Sequence, residues 1–348
     1  MKSTQRWQSL RRVIAGADRF LLTSHVLPEA DAIGSEIALA LHLRSLGKDV
    51  VILNDGAPID RFRFLTRHHP VRSAGDEGAW PDPSWTQVAI CLDVSSWEYM
   101  GSVGRKIRAA RPLVVSVDHH HARAPFGDLD LIVQDAAATG EVLFRYFRNT
   151  GAPVTTEMAE ALYAALLFDT WGFRLPNAGN ETIRIAAEIL EKGVDHRAVC
   201  AHLFESDTYS KLDLLRLALG TLRSECGGKL AWLVIPEDLF HATGAEFADG
   251  DGILDYLLTL REVEVCVMFR QQGRRGVKAT FRSKGRHHVG QLAEELGGGG
   301  RCTAAGVLLS MTISDAMDCV LPRLHELLGE PDLGLDESEV LPRVSGIS

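Results

Sequence analysis

Short apolar runs rich in β-branched residues punctuate the first two-thirds of the chain, at 20–24, 50–53, 88–92 and 113–117. Continuous apolar runs of this length are expected of strands covered on both faces. Between the first two, residues 31–46 carry Ile33, Ile37, Leu39, Ala40 and Leu43 at helical spacing ahead of Gly47, which predicts a helix with a glycine stop. Strand, helix and strand together make a β-α-β unit. Helical spacing returns over 141–147, 156–168 and 182–190, the last with Asn180 as its cap candidate and Gly193 at its close.

Beyond about residue 205 the pattern changes. Helical spacing over 207–222 leads into the turn-like Cys226-Gly-Gly-Lys229, and strands are predicted at 230–235, 263–269, 277–283 and 306–311. Over 277–283, Val277, Ala279 and Phe281 alternate with Lys278, Thr280 and Arg282, one face apolar and the other polar. The predicted fold is α/β: an N-terminal domain (1–200) built on a mostly parallel sheet with helices on both faces, and a smaller C-terminal α/β domain (226–330). A connector helix is expected within 201–225, a cleft between the domains, and a loose tail over 331–348.

The length of 348 residues suits two domains, and 46% hydrophobic with 24% charged residues excludes disorder, collagen-like repeats and coiled coil. The longest apolar run, 161–168, falls short of the roughly 18 residues of a membrane span. The opening MKSTQRWQSLRRV has no secretory core, so a cytoplasmic chain with no membrane partner is expected. Six cysteines without a C-x-x-C pair are read as reduced structural thiols. A net charge of −9 argues against a general nucleic-acid coat protein. Yet 270–301 holds eight Lys/Arg against two Glu, a face on which an anionic substrate would land.

Acidic and imidazole residues concentrate where predicted strands end: His25, Glu29 and Asp31; Asp93; Asp118, His119 and His120; Asp169. In an open parallel sheet ligands bind outside the carboxyl ends of the strands, so these segments converge on one crevice. A carboxylate buried there unpaired is costly, and a cation removes that cost. Carboxylates and imidazoles without thiolate suit Mn²⁺ and tolerate Mg²⁺, Co²⁺ or Fe²⁺. The supply exceeds one ion, which predicts two divalent metals sharing a bridging carboxylate. No G-x-S-x-G and no G-x-x-x-x-G-K-[ST] occurs, which disfavours acyl hydrolysis and ATP-driven work.

The segments His25-x-x-Pro28-Glu29-x-Asp31-x-x-Gly34-Ser35, Asp93, Asp118-His119-His120 and Asp169-Thr170 resemble the four motifs of the DHH phosphoesterases. Arg282-Ser283-Lys284 with Gly297-Gly-Gly-Gly-Arg301-Cys-Thr-Ala304-Ala305-Gly306 resembles their C-terminal DHHA1 domain. The resemblance runs in the family's order over residues 10–325 and is greatest to the nanoRNase and pAp-phosphatase group. RecJ exonucleases are longer and carry a further nucleic-acid-binding domain.

The resemblance implies His25, Glu29 and Asp93 around one metal, and Asp31, Asp93 and His119 around the other, with Asp93 bridging and Asp169 completing the cluster. Asp118 would hold a ligand's orientation, and His120 would contact the scissile phosphate or protonate the leaving oxygen. His42 and His121 are read as surface or packing residues. In the second domain Arg282, Ser283, Lys284 and Arg301, with an N–H nest at Gly298, Gly299 and Gly300, would hold the substrate phosphate. Two positions depart from the family: Glu29 replaces Asp, and Arg301 replaces the His that ends the glycine motif. The implied function is Mn²⁺-dependent hydrolysis of short single-stranded RNA and of 3′-phosphoadenosine 5′-phosphate by two-metal activation of water. The alternatives are a pyrophosphatase or polyphosphatase, and a nucleotide-binding regulator weakened in catalysis. A homodimer is a candidate assembly.

Overall fold

The computed structural model describes residues 3–329 apart from 27, 58–59, 83 and 121–125, so His121 and the tail 331–348 lie outside the described residues. The chain divides into two compact units, Met1–Ser206 and Asp207–Ser348.

The first unit holds strands β1 (Arg19–Thr23), β2 (Asp49–Asn54), β3 (Arg72–Ser73), β4 (Val88–Leu92), β5 (Leu113–Asp118) and β6 (Leu129–Ile132). They form one sheet in the order β3-β2-β1-β4-β5-β6, every pairing parallel. The alternation of side chains explains the two layers. Phe20, Leu22, Ile90, Leu92, Val115 and Val117 enter one core with the helices Ala30–Ser45, Thr139–Thr150 and Thr156–Asp169. Leu21, Ala89, Cys91 and Val114 enter the other, beneath Val103 and Ile107 of the helix Gly101–Ala110. Strands apolar at every position are thus buried on both faces, as expected.

The helices Ala30–Ser45 and Thr156–Asp169 approach backbone to backbone at Gly34, where a Cβ would lie 2.3 Å from the Ala161 carbonyl oxygen. Gly47, just past the first of them, adopts φ +75°, the conformation a glycine stop requires. One expectation is corrected. Asn180 is the first residue of its helix rather than its cap; Gly179 takes the cap position, and no side chain bonds the freed amides there.

In the second unit, β7 (Arg223–Glu225), β8 (Leu230–Ile235), β9 (Val265–Gln271), β10 (Val277–Ser283), β11 (Gly299–Gly300) and β12 (Ala304–Leu309) form a sheet ordered β11-β12-β10-β9-β8-β7. Only β8 and β9 run parallel. Val277, Ala279 and Phe281 pack beneath the helices Val289–Glu295 and Ile313–Leu328. The opposite face packs on Leu214, Ala218, Leu239 and Leu254. The helix Tyr209–Leu219, expected as a connector, is therefore part of the second unit's core.

Candidate metal centre

Strand order in the first sheet reverses between β1 and β4, so the crevice at their carboxyl ends is the position where such sheets bind ligands. His25 lies just beyond β1, Asp93 directly follows β4, and Asp118 ends β5 ahead of His119 and His120. Asp31 stands in the first turn of the helix Ala30–Ser45, and Asp169 is the last residue of the helix Thr156–Asp169. Asp93 adopts φ +55°, uncommon for a residue with a Cβ, and its amide donates to Val117 O at 3.0 Å. Strain of this kind persists where the surroundings enforce it, and it aims the carboxylate into the crevice rim between β4 and β5.

The buried His119 organises the site. Its Nδ1 lies 3.1 Å from Ala136 O, an acceptor only, so that nitrogen carries the proton. The other nitrogen, Nε2, lies 3.6 Å from Asp31 Oδ2, 3.6 Å from Asp93 Oδ1 and 3.2 Å from Asp169 Oδ2. One imidazole nitrogen therefore faces three carboxylates, a gathering of donor atoms that a bound cation would hold together. Asp31 is fixed by the amides of Thr139 and Gly140 at 2.7 and 2.8 Å, at the positive N-terminal end of the helix Thr139–Thr150. Thr139 Oγ1 also donates to Asp93 Oδ1 at 3.2 Å. Asn177 Nδ2 bonds the carbonyls of Ala137 and Asp169, tying the two loops together. Thr139, Gly140, Ala136 and Asn177 were not singled out in the sequence; the only signal was the small-residue run Ala136-Ala-Ala-Thr-Gly140 opening an amphipathic helix.

Asp118 Oδ1 accepts from the amides of His119 and His120, at 2.7 and 3.1 Å, and lies 2.7 Å from His120 Nδ1. Its Oδ2 is buried and has no hydrogen-bond partner among the described residues. Burial alone would raise this carboxyl, but the His120 charge and hydrogen bond, with the charge of His119, hold it down at about 2. Asp31 is pushed well above the ordinary carboxylate range, first by burial and then by the charges of Asp93 and Asp169, against the two amide donors. Burial disfavours a charged His25, yet the hydrogen bond and charge of Asp93 and the charge of Glu29 raise it to about 9. A carboxyl at Asp31 driven toward protonation near an imidazole at His25 driven toward its cation marks a site whose excess negative charge a metal would neutralise.

Two donor sets meet here. Asp93, Asp118, His119 and His120 present ligand atoms within 4.8 Å of one another, and so do Asp31, His119 and Asp169. The shared residue is His119, where the resemblance assigns that position to Asp93. His25 belongs to neither set but stands 3.7 Å from Asp93 Oδ2. Glu29 is exposed at the cap of its helix and belongs to neither. The donors are oxygen and imidazole nitrogen without thiolate, which fits a hard or borderline divalent ion. His42 is buried against Tyr146 and Phe147, a packing residue.

The second-unit candidates have local roles. Ser283 is buried, its hydroxyl donating to His287 O at 2.7 Å. Lys284 Nζ caps the carbonyls of Leu260 and Arg261. Arg282 Nε lies 3.6 Å from Asp255 Oδ1. At the glycine run, some backbone amides have partners within the unit. The amides of Gly297, Gly298 and Arg301 already donate to Glu294, Ala293 and Ala304 carbonyls. A Cβ at Gly298 would lie 2.2 Å from Gly306 O, and one at Gly300 2.4 Å from Ala305 Cα. Gly298 and Gly300 let the chain at β11 lie against β12, which is why neither position has room for a side chain.

Residues 19–166 match the DHH family N-terminal domain, and residues 227–329 match the DHHA1 domain. The chain is 31% identical over 330 residues to the bifunctional oligoribonuclease and PAP phosphatase NrnA of Thermus thermophilus, covering 92% of this chain and 95% of that one. The Bacillus subtilis protein of the same name is 26% identical, covering 92% and 98%. The crystal structure of an exopolyphosphatase-related protein from Bacteroides fragilis shares the fold, with a TM-score of 0.84, 23% identity and coverage of 94% and 98%. With both domains matched in order, the four acidic and histidine segments gathered at the β1/β4 crevice, and a relative this similar along nearly its whole length, the chain belongs to the DHH–DHHA1 family of phosphoesterases.

Proposed function

We propose that this chain hydrolyses short oligoribonucleotides and 3′-phosphoadenosine 5′-phosphate in the cytoplasm, using two divalent ions, Mn²⁺ by preference, held by Asp31, Asp93, His119 and Asp169 with His25 and Glu29 at the margin. The observation that carries the reading is His119 Nε2 facing three buried carboxylates, in a chain similar end to end to relatives named for both activities. Bound divalent ions supply positive charge to phosphoryl oxygens and lower the pKa of water.

The protein's own groups do the positioning. The Thr139 and Gly140 amides set the direction of Asp31 before any substrate arrives, and Ala136 O sets the tautomer of His119. His120 is partly exposed and has Nδ1 held by Asp118, and it is assigned delivery of a proton to the leaving oxygen. Arg282 and Arg301 supply the charge that grips the substrate phosphate, Arg301 through a bidentate fork in place of the family histidine.

The test is release of mononucleotide from a diribonucleotide, and of phosphate from 3′-phosphoadenosine 5′-phosphate, by protein loaded with Mn²⁺. Both reactions are expected, and both should vanish with chelation and in His119→Ala. Faster turnover of pyrophosphate would reassign the chain to the pyrophosphatases. A protein that binds Mn²⁺ and nucleotide but turns over no ester would be a regulator.

A further inference from the structure

The peptide that orients His119 is itself held from behind. Its carbonyl end is Ala136 O, 3.1 Å from His119 Nδ1, and its amide end, the N–H of Ala137, donates to Glu141 Oε2 at 3.1 Å. Both ends belong to one planar, resonance-coupled unit. An anion accepting from the N–H therefore moves electron density toward the carbonyl oxygen and makes it the stronger acceptor.

Glu141 is fully buried in the first turn of the helix Thr139–Thr150. A buried carboxylate is costly unless donors surround it, and three reach this one. Ala137 N–H and Thr182 Oγ1, the latter at 2.8 Å, donate to Oε2, while Arg145 Nη2 donates to Oε1 at 2.5 Å. Helix capping does not explain the direction of the side chain. An acid at the third helical position turns back to the amide of the cap residue. The cap here is Ala138, and Glu141 reaches past it to Ala137. That one further residue brings the carboxylate onto the peptide whose carbonyl meets His119. The next carbonyl, Ala137 O, accepts from Asn177 Nδ2 at 3.1 Å, and the same nitrogen donates to Asp169 O at 3.0 Å. Residues 136–137 are thus fixed on two sides, with Glu141 supplying the negative charge.

We propose that Glu141 is a positioning residue of the metal centre. Through the peptide joining Ala136 to Ala137 it holds the His119 imidazole with Nδ1 turned to the protein and Nε2 turned to the metal, the service that carboxylates in direct contact perform for metal-ligating histidines. Glu141 itself belongs to neither donor set. The inference rests on His119 being a metal ligand and deepens that reading by one residue.

The test compares Glu141→Gln with Thr182→Val. Glutamine keeps the shape, loses the charge and leaves one acceptor oxygen for three donors. Thr182→Val removes one hydrogen bond from the same carboxylate and leaves its charge and the Ala137 amide in place. Free Mn²⁺ read by electron paramagnetic resonance should show binding about ten-fold weaker in Glu141→Gln and within about two-fold of the parent in Thr182→Val. With Mn²⁺ saturating, the KM for a dinucleotide should be the same in all three proteins. In Mg²⁺-loaded protein labelled with ¹⁵N-histidine, the His119 Nδ1 proton is identified by its loss in His119→Ala. It should exchange with water about ten-fold faster in Glu141→Gln, as its acceptor weakens. Should Glu141→Gln fail to fold, Arg145→Met alongside it removes the guanidinium that the lost charge would strand, and this double variant should bind Mn²⁺ as weakly. Unchanged Mn²⁺ affinity or unchanged proton exchange on loss of the Glu141 charge overturns the proposal. Equal weakening in Thr182→Val overturns it too, since that marks a merely structural role. Mn²⁺ binding that survives His119→Ala would instead overturn the assignment of the metal centre, on which the proposal stands.

Discussion

At Asp93 the backbone sits at φ +55° and the carboxylate is buried 3.6 Å from His119 Nε2. Asparagine tolerates the left-handed region about as well as aspartate, so Asp93→Asn keeps the turn and removes one negative charge from a crowded site. The expected outcome is a metal-free protein that melts at the same temperature or higher, with hydrolysis down by more than about 100-fold, the upper end of what outer contacts alone cost. Calorimetry with chelator and steady-state assays check both halves; a lower melting temperature with activity retained would contradict the assignment. Asp93 and Asp118 were legible in the sequence because an acid directly after a fully apolar strand has few places to go but a sheet end. The groups that hold these acids in place were not legible. Thr139, Gly140 and Ala136 act through backbone amides and a carbonyl, which every residue carries, so no residue type announces them. The glycines at 297–300 show the converse: absence of a Cβ at Gly298 and Gly300 serves a strand contact, and the same absence would suit an anion nest, which the sequence does not distinguish.

The helices that carry Asp31 and Asp169 are spaced by Gly34, whose missing Cβ leaves room for the Ala161 carbonyl. Gly34→Ala should cost about 1–3 kcal/mol by overpacking. It should also weaken Mn²⁺ binding, because the two helices move apart along the line joining the acids; denaturant melts and metal titration read the two effects separately. On the same helix the fully buried Glu36 accepts from Asn54 Nδ2 at 3.0 Å, and Asn54 Oδ1 in turn accepts from the amide of Ser24, which precedes His25. Burial raises the Glu36 carboxyl to about 7, against the hydrogen bonds of Asn54 and Ser24. A carboxyl raised in the folded state contributes stability that is complete below its unfolded pKa near 4.5 and is lost as pH rises through 7. Metal-free protein should therefore lose about 3 kcal/mol between pH 4.5 and 7 from this group, and Glu36→Gln should flatten that part of the stability profile. An unchanged slope in the variant would show that another group titrates. Elements were legible where burial was two-sided and continuous, as in β4 and β8, whose bounds match the apolar runs residue for residue. The two-residue strands β3 and β11 and the half-buried β6 carry no such run, and they arise from pairing with neighbours that the local sequence does not encode.

Across the whole molecule, the two units have separate hydrophobic cores, and every candidate metal ligand belongs to the first. The pattern of the sequence changes near residue 205, and the chain divides into its two compact units between Ser206 and Asp207. The place of the helix Tyr209–Leu219 was not legible, because its amphipathic face suits either a connector or a core, and only the partners of Leu214 and Ala218 decide. Separate cores have a thermodynamic consequence. A ligand that binds the folded state alone stabilises it by about 4 kcal/mol at a thousand times its Kd, equivalent to about a thousand-fold slower exchange of amides that open only with the structure holding the site. Hydrogen exchange read by mass spectrometry with and without saturating Mn²⁺ should therefore show the largest gains in β4, β5 and the helices Ala30–Ser45 and Thr156–Asp169, which meet at the donor sets. Strands β9 and β10, in the other core, should exchange at the same rate in both conditions. His119→Ala should erase the gain in the first unit, since it removes the residue common to both sets. Equal protection of β9 and β10, or a gain that survives His119→Ala, would place the metal elsewhere and leave the buried carboxylates without the cation that their geometry requires.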